Sequence, residues 1–250
     1  MADKVLLPPS LEQVRIPQLP SSAFYISDFI TQDEEQVILS KIASAPKPRW
    51  KQLTKRRLQT WPSDLVNNKL VESPLPLWLE EPVVSRLRSL PVALDTNSIT
   101  HIFEDSPHQR PNHVLINEYP PGVGIMPHKD GAAYHPVVCT VSLGGSLCLN
   151  IHKMREDKTL ESSPTWRILQ EPRSVLITTA DLYTEYLHGI ADIEEDIELS
   201  PSTIVNWPLL RSPSFPEGRN LRRTRTSLTY RDVISVSKLG GKLGLFGQKR

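Results

Sequence analysis

The chain changes texture partway along. Before about residue 95 its apolar positions recur three and four apart. From 113 onward they fall in short β-branched blocks separated by Gly, Pro or charged residues. AFYISDF (23–29) reads as a strand. Thr31 then predicts a helix N-cap, with Glu34 three residues on and an acidic first turn that suits the helix dipole. Val37, Ile38 and Ile42 give that helix, over 32–44, its apolar face. Leu79, Val83, Leu87 and Leu90 stand at helical spacing and predict a second helix over 78–90. Between the two, APKPRWKQLTKRRLQTWP (45–62) reads as a loop and hairpin.

The β blocks are HVLINEYP (113–120), VVCTVSLGG (137–145), SLCLNI (146–151), RSVLITT (173–179) and RTSLTYRDV (225–233). Helices followed by at least five short strands predict an α+β protein with an antiparallel sandwich or barrel core. The organisation that follows has four parts. Residues 1–22 form an extended Pro-rich arm and 23–95 the N-terminal helices and cationic hairpin. Residues 96–235 form the core, interrupted by an insertion loop at about 190–220, and 236–250 a basic flexible tail. The insertion mixes an acidic run with Pro, Ser and Gly, a composition that predicts partial disorder.

Composition narrows the function classes. With 29 basic and 28 acidic residues in 250, the net charge is +1, so any pull on nucleic acid or anionic lipid must come from a local patch. The 23 prolines point to many loops around a core. Cys139 and Cys148 have no metal or redox spacing and predict reduced, buried thiols, hence a cytoplasmic and nuclear location. No apolar run approaches 18 residues, so neither secretion nor membrane spanning is expected, and nothing calls for an oligomer.

The candidate chemistry lies in MPHKDG (126–131), LHGI (187–190) and RTSLTYR (225–231). An iron centre that activates oxygen needs three protein ligands on one face, and two imidazoles with one carboxylate meet that need. His128 and Asp130, two apart, leave an extended chain on the same side, and His188 would complete the set from a distant strand. Alone the triplet is weak, because a histidine at a strand end serves equally well as a hydrogen-bonded structural residue. Arg225 and Arg231 share a strand face with Ser227 and Thr229. On an edge strand the two arginines would simply be solvated; as inward-facing cations they would require an anion, and guanidinium suits carboxylates. Asn117 and Tyr119 share a face of an upstream strand and offer donors to a diacid. The remaining histidines, His101, His108, His113, His135 and His152, have no partner at ligand spacing and read as structural or surface residues.

Taken in order, Asn117-x-Tyr119, the Pro-Gly turn, His128-x-Asp130, VSLG, His188 and Arg225-x5-Arg231 resemble the AlkB family of Fe(II)/2-oxoglutarate dioxygenases. The likeness spans about residues 23–235. It implies a double-stranded β-helix (jelly-roll) core with the N-terminal helices packed on one side, and Fe(II) held by His128, Asp130 and His188. It also implies 2-oxoglutarate as cosubstrate, its C5 carboxylate on Arg225 with Tyr119 and its C1 carboxylate on Arg231 and Asn117. The prolyl-hydroxylase type of the same superfamily places a basic residue about ten after the distal histidine. Here that stretch is IEEDIELSP, so the AlkB arrangement fits better. The departure is the long gap from His188 to Arg225, which requires the intervening loop to fold back.

The implied reaction is oxidative decarboxylation of 2-oxoglutarate to succinate and CO2, coupled to oxidation of a substrate C–H bond; on an N-methyl group this is demethylation. Substrate is the open question. Residues 36–63 contain no acid but seven cations, with Trp50 and Trp61 flanking Lys55, Arg56 and Arg57. In the AlkB family this region resembles a lid over the site, and cations interleaved with aromatics suit single-stranded DNA or RNA and an extruded base. A solvated hairpin with its tryptophans packed on the core explains the same residues. Three classes stay open: a nucleic-acid demethylase, an oxygenase of proteins or small molecules, and a nucleic-acid-binding protein with little turnover.

Overall fold

The computed structural model describes residues 5–20, 23–94, 100–155, 159–161, 163–211 and 214–238. All but three residues of the expected basic tail lie outside that set. In chain order the strands are β1 (Ala23–Ile26), β2 (Lys51–Gln52), β3 (Arg57–Trp61), β4 (Leu70–Val71), β5 (His113–Tyr119), β6 (Ile125–His128), β7 (Val137–Leu143) and β8 (Leu147–His152). They continue with β9 (Trp166–Gln170), β10 (Val175–Thr179), β11 (Leu187–Ile190), β12 (Glu195–Asp196), β13 (Asn220–Leu221), β14 (Arg225–Arg231) and β15 (Val236–Ser237). Seven form a large antiparallel sheet in the order β1-β10-β7-β14-β5-β3-β2, and four a smaller one in the order β6-β11-β8-β9. The chain is thus a mixed α+β structure with an N-terminal helix and two principal antiparallel sheets.

The period of two along a strand decides what each face of the large sheet meets. Val114 and Ile116 of β5, Cys139, Val141 and Leu143 of β7, and Leu228 and Tyr230 of β14 turn to one side. There they join Ile38, Ile42, Leu79, Val83 and Leu87 in a single buried cluster. The alternate positions turn toward the smaller sheet. Every residue of β14 except Thr229 is buried, so this strand is covered on both faces.

The helix α1 (Gln32–Ala43) begins as its sequence predicts. Thr31 Oγ1 accepts from the Glu34 amide at 3.1 Å, and Glu34 Oε2 accepts from the Thr31 amide at 2.7 Å. Arg86 clamps the same Glu34 carboxylate from the 85–89 helix, at 2.7 Å to each oxygen. Glu35 is buried and accepts from the Gly144 amide at 2.8 Å and Arg173 at 2.9 Å, fastening the helix to the end of β7. Val37, expected on the buried face, is 55% exposed; Ile38 and Ile42 carry that face, with Leu39 packed at its edge.

The second helix is not continuous. It consists of a turn at Leu77–Leu79, an irregular Glu80–Val84 segment and a helix over Ser85–Ser89. Pro82 is the cause: it disfavours helical geometry in the residue before it, and Glu81 sits at φ −104°, ψ 132°. In the N-terminal arm Leu11–Val14 form a 3-10 turn, and Leu11 and Ile16 are fully buried.

The described residues of the 190–220 stretch, expected to be partly disordered, are packed. Leu199, Ile204 and Leu210 are buried against β8, β9 and β10 residues. Asn206 pairs with the Leu169 backbone through both ends of its amide, at 2.9 and 2.8 Å. The base of the loop closes on a buried bidentate pair, Arg222 to Asp196, at 2.9 and 2.7 Å. The sequence hid this because the apolar anchors are dispersed among prolines and serines without either period.

Candidate metal and dicarboxylate site

Between the two principal sheets lies a cavity of about 300 Å³, at the small end of ligand-sized pockets. Its walls come from the inward positions of β5, β7, β10 and β14 on one side, and from β6, β8 and β11 on the other.

At one end stand His128, Asp130 and His188, each offering a ligand atom within 4.8 Å of the others. His128 and His188 are cross-strand partners of β6 and β11, with ring centroids 4.4 Å apart. Two glycines permit this pairing. A Cβ on Gly189 would stand 2.9 Å from Pro127 N, and one on Gly124 only 2.0 Å from the Ile190 carbonyl oxygen. β6 is the outer strand of its sheet, which is where a strand can carry Pro127. His128 Nδ1 lies 2.9 Å from the Met126 carbonyl; donating there leaves Nε2 as the free electron pair. Burial pushes His188 down to about 4, with Asp130 opposing and the neighbouring His128 and Arg231 adding to the shift. It is a neutral imidazole at neutral pH, the form a metal takes. The Asp130 loop is secured by Tyr183, whose hydroxyl donates to the Gly131 carbonyl at 2.7 Å, and by Lys129 on the Thr184 carbonyl at 2.6 Å.

The rest of the floor is cationic. Arg225 is 2% exposed and donates to Ser142 Oγ at 2.9 Å and Gln170 Oε1 at 2.7 Å. Both are neutral, and among the described residues it has no carboxylate. Burial lowers its guanidinium to about 10. Arg231 donates to Asp130 Oδ1 at 2.9 Å and lies 4.3 Å from the Tyr134 ring centre, while its buried Nε has no partner. Tyr119 faces Arg225 in register, and Asn117 faces Ser227. Burial raises the Tyr119 phenol pKa, so it stays a donor. A buried cation with neutral partners and an orphaned guanidinium nitrogen together fit a bound anion. Three ligand atoms with open space beside them fit a metal. The donor set therefore suits Fe(II) and a dicarboxylate.

The mouth separates the five hairpin residues. Arg56 lines the cavity and reaches Asn117 Oδ1 at 3.4 Å. Lys55 pairs with Asp192 at 2.6 Å, and Arg57 with Glu118 at 2.5 Å. Trp50 lies under Arg57, 4.0 Å from its guanidinium. Trp61 lies under Arg49 at 4.2 Å and packs edge-on to Trp78. Both tryptophans pack against the helix-side core rather than in the cavity. Ser142, Gln170 and Tyr183 were not singled out by the sequence; single polar residues on apolar strands or short turns carry no spacing signal. Cys139 and Cys148 are buried and unbridged, and no described helix is long and apolar enough to cross a membrane.

A family model described as the 2OG-Fe(II) oxygenase superfamily matches residues 22–231. The chain is 36% identical over 242 residues to "Probable RNA/DNA demethylase ALKBH6" of Danio rerio, covering 94% of this chain and 95% of that protein. It is 25% identical over 229 residues to "tRNA (carboxymethyluridine(34)-5-O)-methyltransferase alkbh8" of Xenopus tropicalis, covering 89% of this chain and 33% of that protein. Among solved structures, that of OsALKBH1 superposes with a TM-score of 0.52 at 16% identity, over 84% of this chain and 96% of the other. This last likeness is one of fold.

Proposed function

The chain belongs to the 2OG-Fe(II) oxygenase superfamily, and from that premise we propose that it oxidatively demethylates alkylated single-stranded DNA or RNA. As a member it is an Fe(II)- and 2-oxoglutarate-dependent dioxygenase. When bound, the two would supply, with O2 as the oxidant, hydroxylation of a substrate C–H bond with release of succinate and CO2; an N-hydroxymethyl product would then lose formaldehyde to leave the N–H.

In our reading His128, Asp130 and His188 hold the iron. Arg225 with Tyr119 takes the C5 carboxylate of 2-oxoglutarate, and Arg231 with Asn117 the C1 carboxylate. The observation that carries this is the fully buried Arg225, whose charge meets only neutral oxygens, at the opposite end of the cavity from the three ligand atoms. His128 keeps its ligand tautomer through Met126, and Arg231 orients Asp130 from the side. Apolar walls at Leu115, Ile151 and Leu176 keep bulk water out. The finer architecture we propose is the double-stranded β-helix, with the four-stranded sheet and the inward face of the large one as its two halves. The segment 23–95 then serves as helical backing and lid, and 96–235 as the catalytic core.

Nucleic acid as substrate is supported by the Danio rerio relative's name and by Arg56, a cation lining the cavity without an acid partner among the described residues. The test is anaerobic Fe(II) and 2-oxoglutarate binding, then oxygen and a panel of methylated oligonucleotides with succinate as readout. Stimulation by methylated over unmethylated strands is expected. Cosubstrate turnover indifferent to every strand would end the nucleic-acid reading.

A further inference from the structure

We propose that Arg56 makes this site select alkylated bases that carry no positive charge. The inference rests on the nucleic-acid reading above and adds to it the charge of the base admitted.

Fe(II) and 2-oxoglutarate bear equal and opposite charge, so loading leaves the cavity's own balance unchanged. That balance is three guanidiniums, of Arg56, Arg225 and Arg231, against one carboxylate. Asp130 is the sole acid lining the cavity among the described residues. Arg225 and Arg231 lie deep and are committed to the dicarboxylate. Arg56 stands at the mouth, partly exposed.

Its neighbours on the hairpin have been neutralised and it has not. Lys55 is held by Asp192, Arg57 by Glu118 and Lys51 by Asp64, whereas Arg56 makes no ion pair among the described residues. The same pairings occupy the acids that could otherwise attract a cation to the mouth. Asp192 also accepts the Gly124 amide at 2.6 Å. A base that is cationic at neutral pH, such as N1-methyladenine, therefore meets a guanidinium and, among the described lining residues, no carboxylate other than Asp130. An uncharged isomer such as N6-methyladenine offers ring nitrogens that Arg56 can donate to. At an intermediate effective dielectric, one guanidinium beside the base disfavours such a cation by roughly tenfold. Through Asn117 Oδ1, Arg56 also holds the amide with its NH₂ group free to donate into the cavity.

The experiment uses the full chain with Fe(II) and 2-oxoglutarate under anaerobic conditions. It measures fluorescence anisotropy of three labelled single strands identical except for one adenine: unmodified, N6-methylated or N1-methylated. The expected result is roughly tenfold tighter binding of the N6-methyl over the N1-methyl strand. Arg56→Lys retains that ratio, Arg56→Gln brings it toward one, and Arg56→Glu inverts it. Equal or tighter binding of the N1-methyl strand by the unaltered protein overturns the proposal, and so does a ratio unmoved in Arg56→Glu at unchanged melting temperature. If both methylated strands outcompete the unmodified one without a charge preference, only this proposal falls. If neither does, the nucleic-acid reading falls and takes it along.

Discussion

The strand Arg225–Arg231 and the hairpin 51–61 are both rich in arginine, yet the molecule treats the two sets of charges in opposite ways. On β14 the cations are buried, and one of them meets only hydroxyl and amide oxygens. On the hairpin they are largely solvated, and most are met by a carboxylate. An uncompensated charge is costly in the interior and nearly costless in water. The contrast therefore indicates where a ligand's charge is awaited. Arg56 is the exception on the hairpin, turned inward and left without an acid.

The comparison breaks most completely at the metal end. His128→Ala or Asp130→Ala is expected to abolish succinate formation; undiminished turnover in both would place the iron elsewhere. Next in size is Arg225→Met. Removing one partner of a charge-assisted buried contact costs about 2–5 kcal/mol, so the 2-oxoglutarate requirement should rise by about 100-fold. The unliganded protein should meanwhile melt no lower, because a buried charge without an acid has been removed. A lower melting point would mean Arg225 serves the fold rather than the cosubstrate.

His113, paired in register with Arg231, gives a pH test of the same buried end. Burial, with Arg231 adding to it, lowers His113 to about 4, and its Nε2 meets the Ser63 carbonyl at 3.1 Å. The unfolded chain takes up this proton below about pH 6.5 and the folded chain does not until about 4. Folding stability thus falls as pH drops through that window, by about 3 kcal/mol at its end. His113→Gln should flatten that part of the stability curve; an unchanged slope would assign the acid sensitivity to other groups. The smallest effect is expected at Lys55→Gln, whose pair with Asp192 is exposed on both sides. Exposed pairs are worth about 0–1 kcal/mol, so melting should barely move and binding of an unmodified strand should change by less than about threefold.

Legibility followed burial pattern. β5, β7, β10 and β14 could be read because β-branched runs bounded by Gly, Pro or charge have few other uses, and the helix start could be read because Thr31 and Glu34 form a complete capping pair. The metal triplet and the two arginines were named from spacing and resemblance, and the chain brings them to one cavity. What stayed hidden depends on tertiary partners. β6 is four residues long with a proline in it, and its pairing to β11 relies on the absence of side chains at Gly124 and Gly189. Trp50 and Trp61 read equally well as lid or core, and only packing decides that they join the core. Neither Ser142 nor Gln170 announces itself as an arginine's partner.

The Arg222–Asp196 clasp carries a further consequence. His188 and Arg225 are set by strand register, so the contour length between them is almost irrelevant: doubling a flexible loop costs only about 0.6 kcal/mol. Leu199, Ile204, Leu210 and Asn206 pin the middle of the excursion, and the clasp pins its root. Peptide could be spliced into the exposed turn around Glu217 as into a handle, while the same splice beside Asp196 would unfasten it.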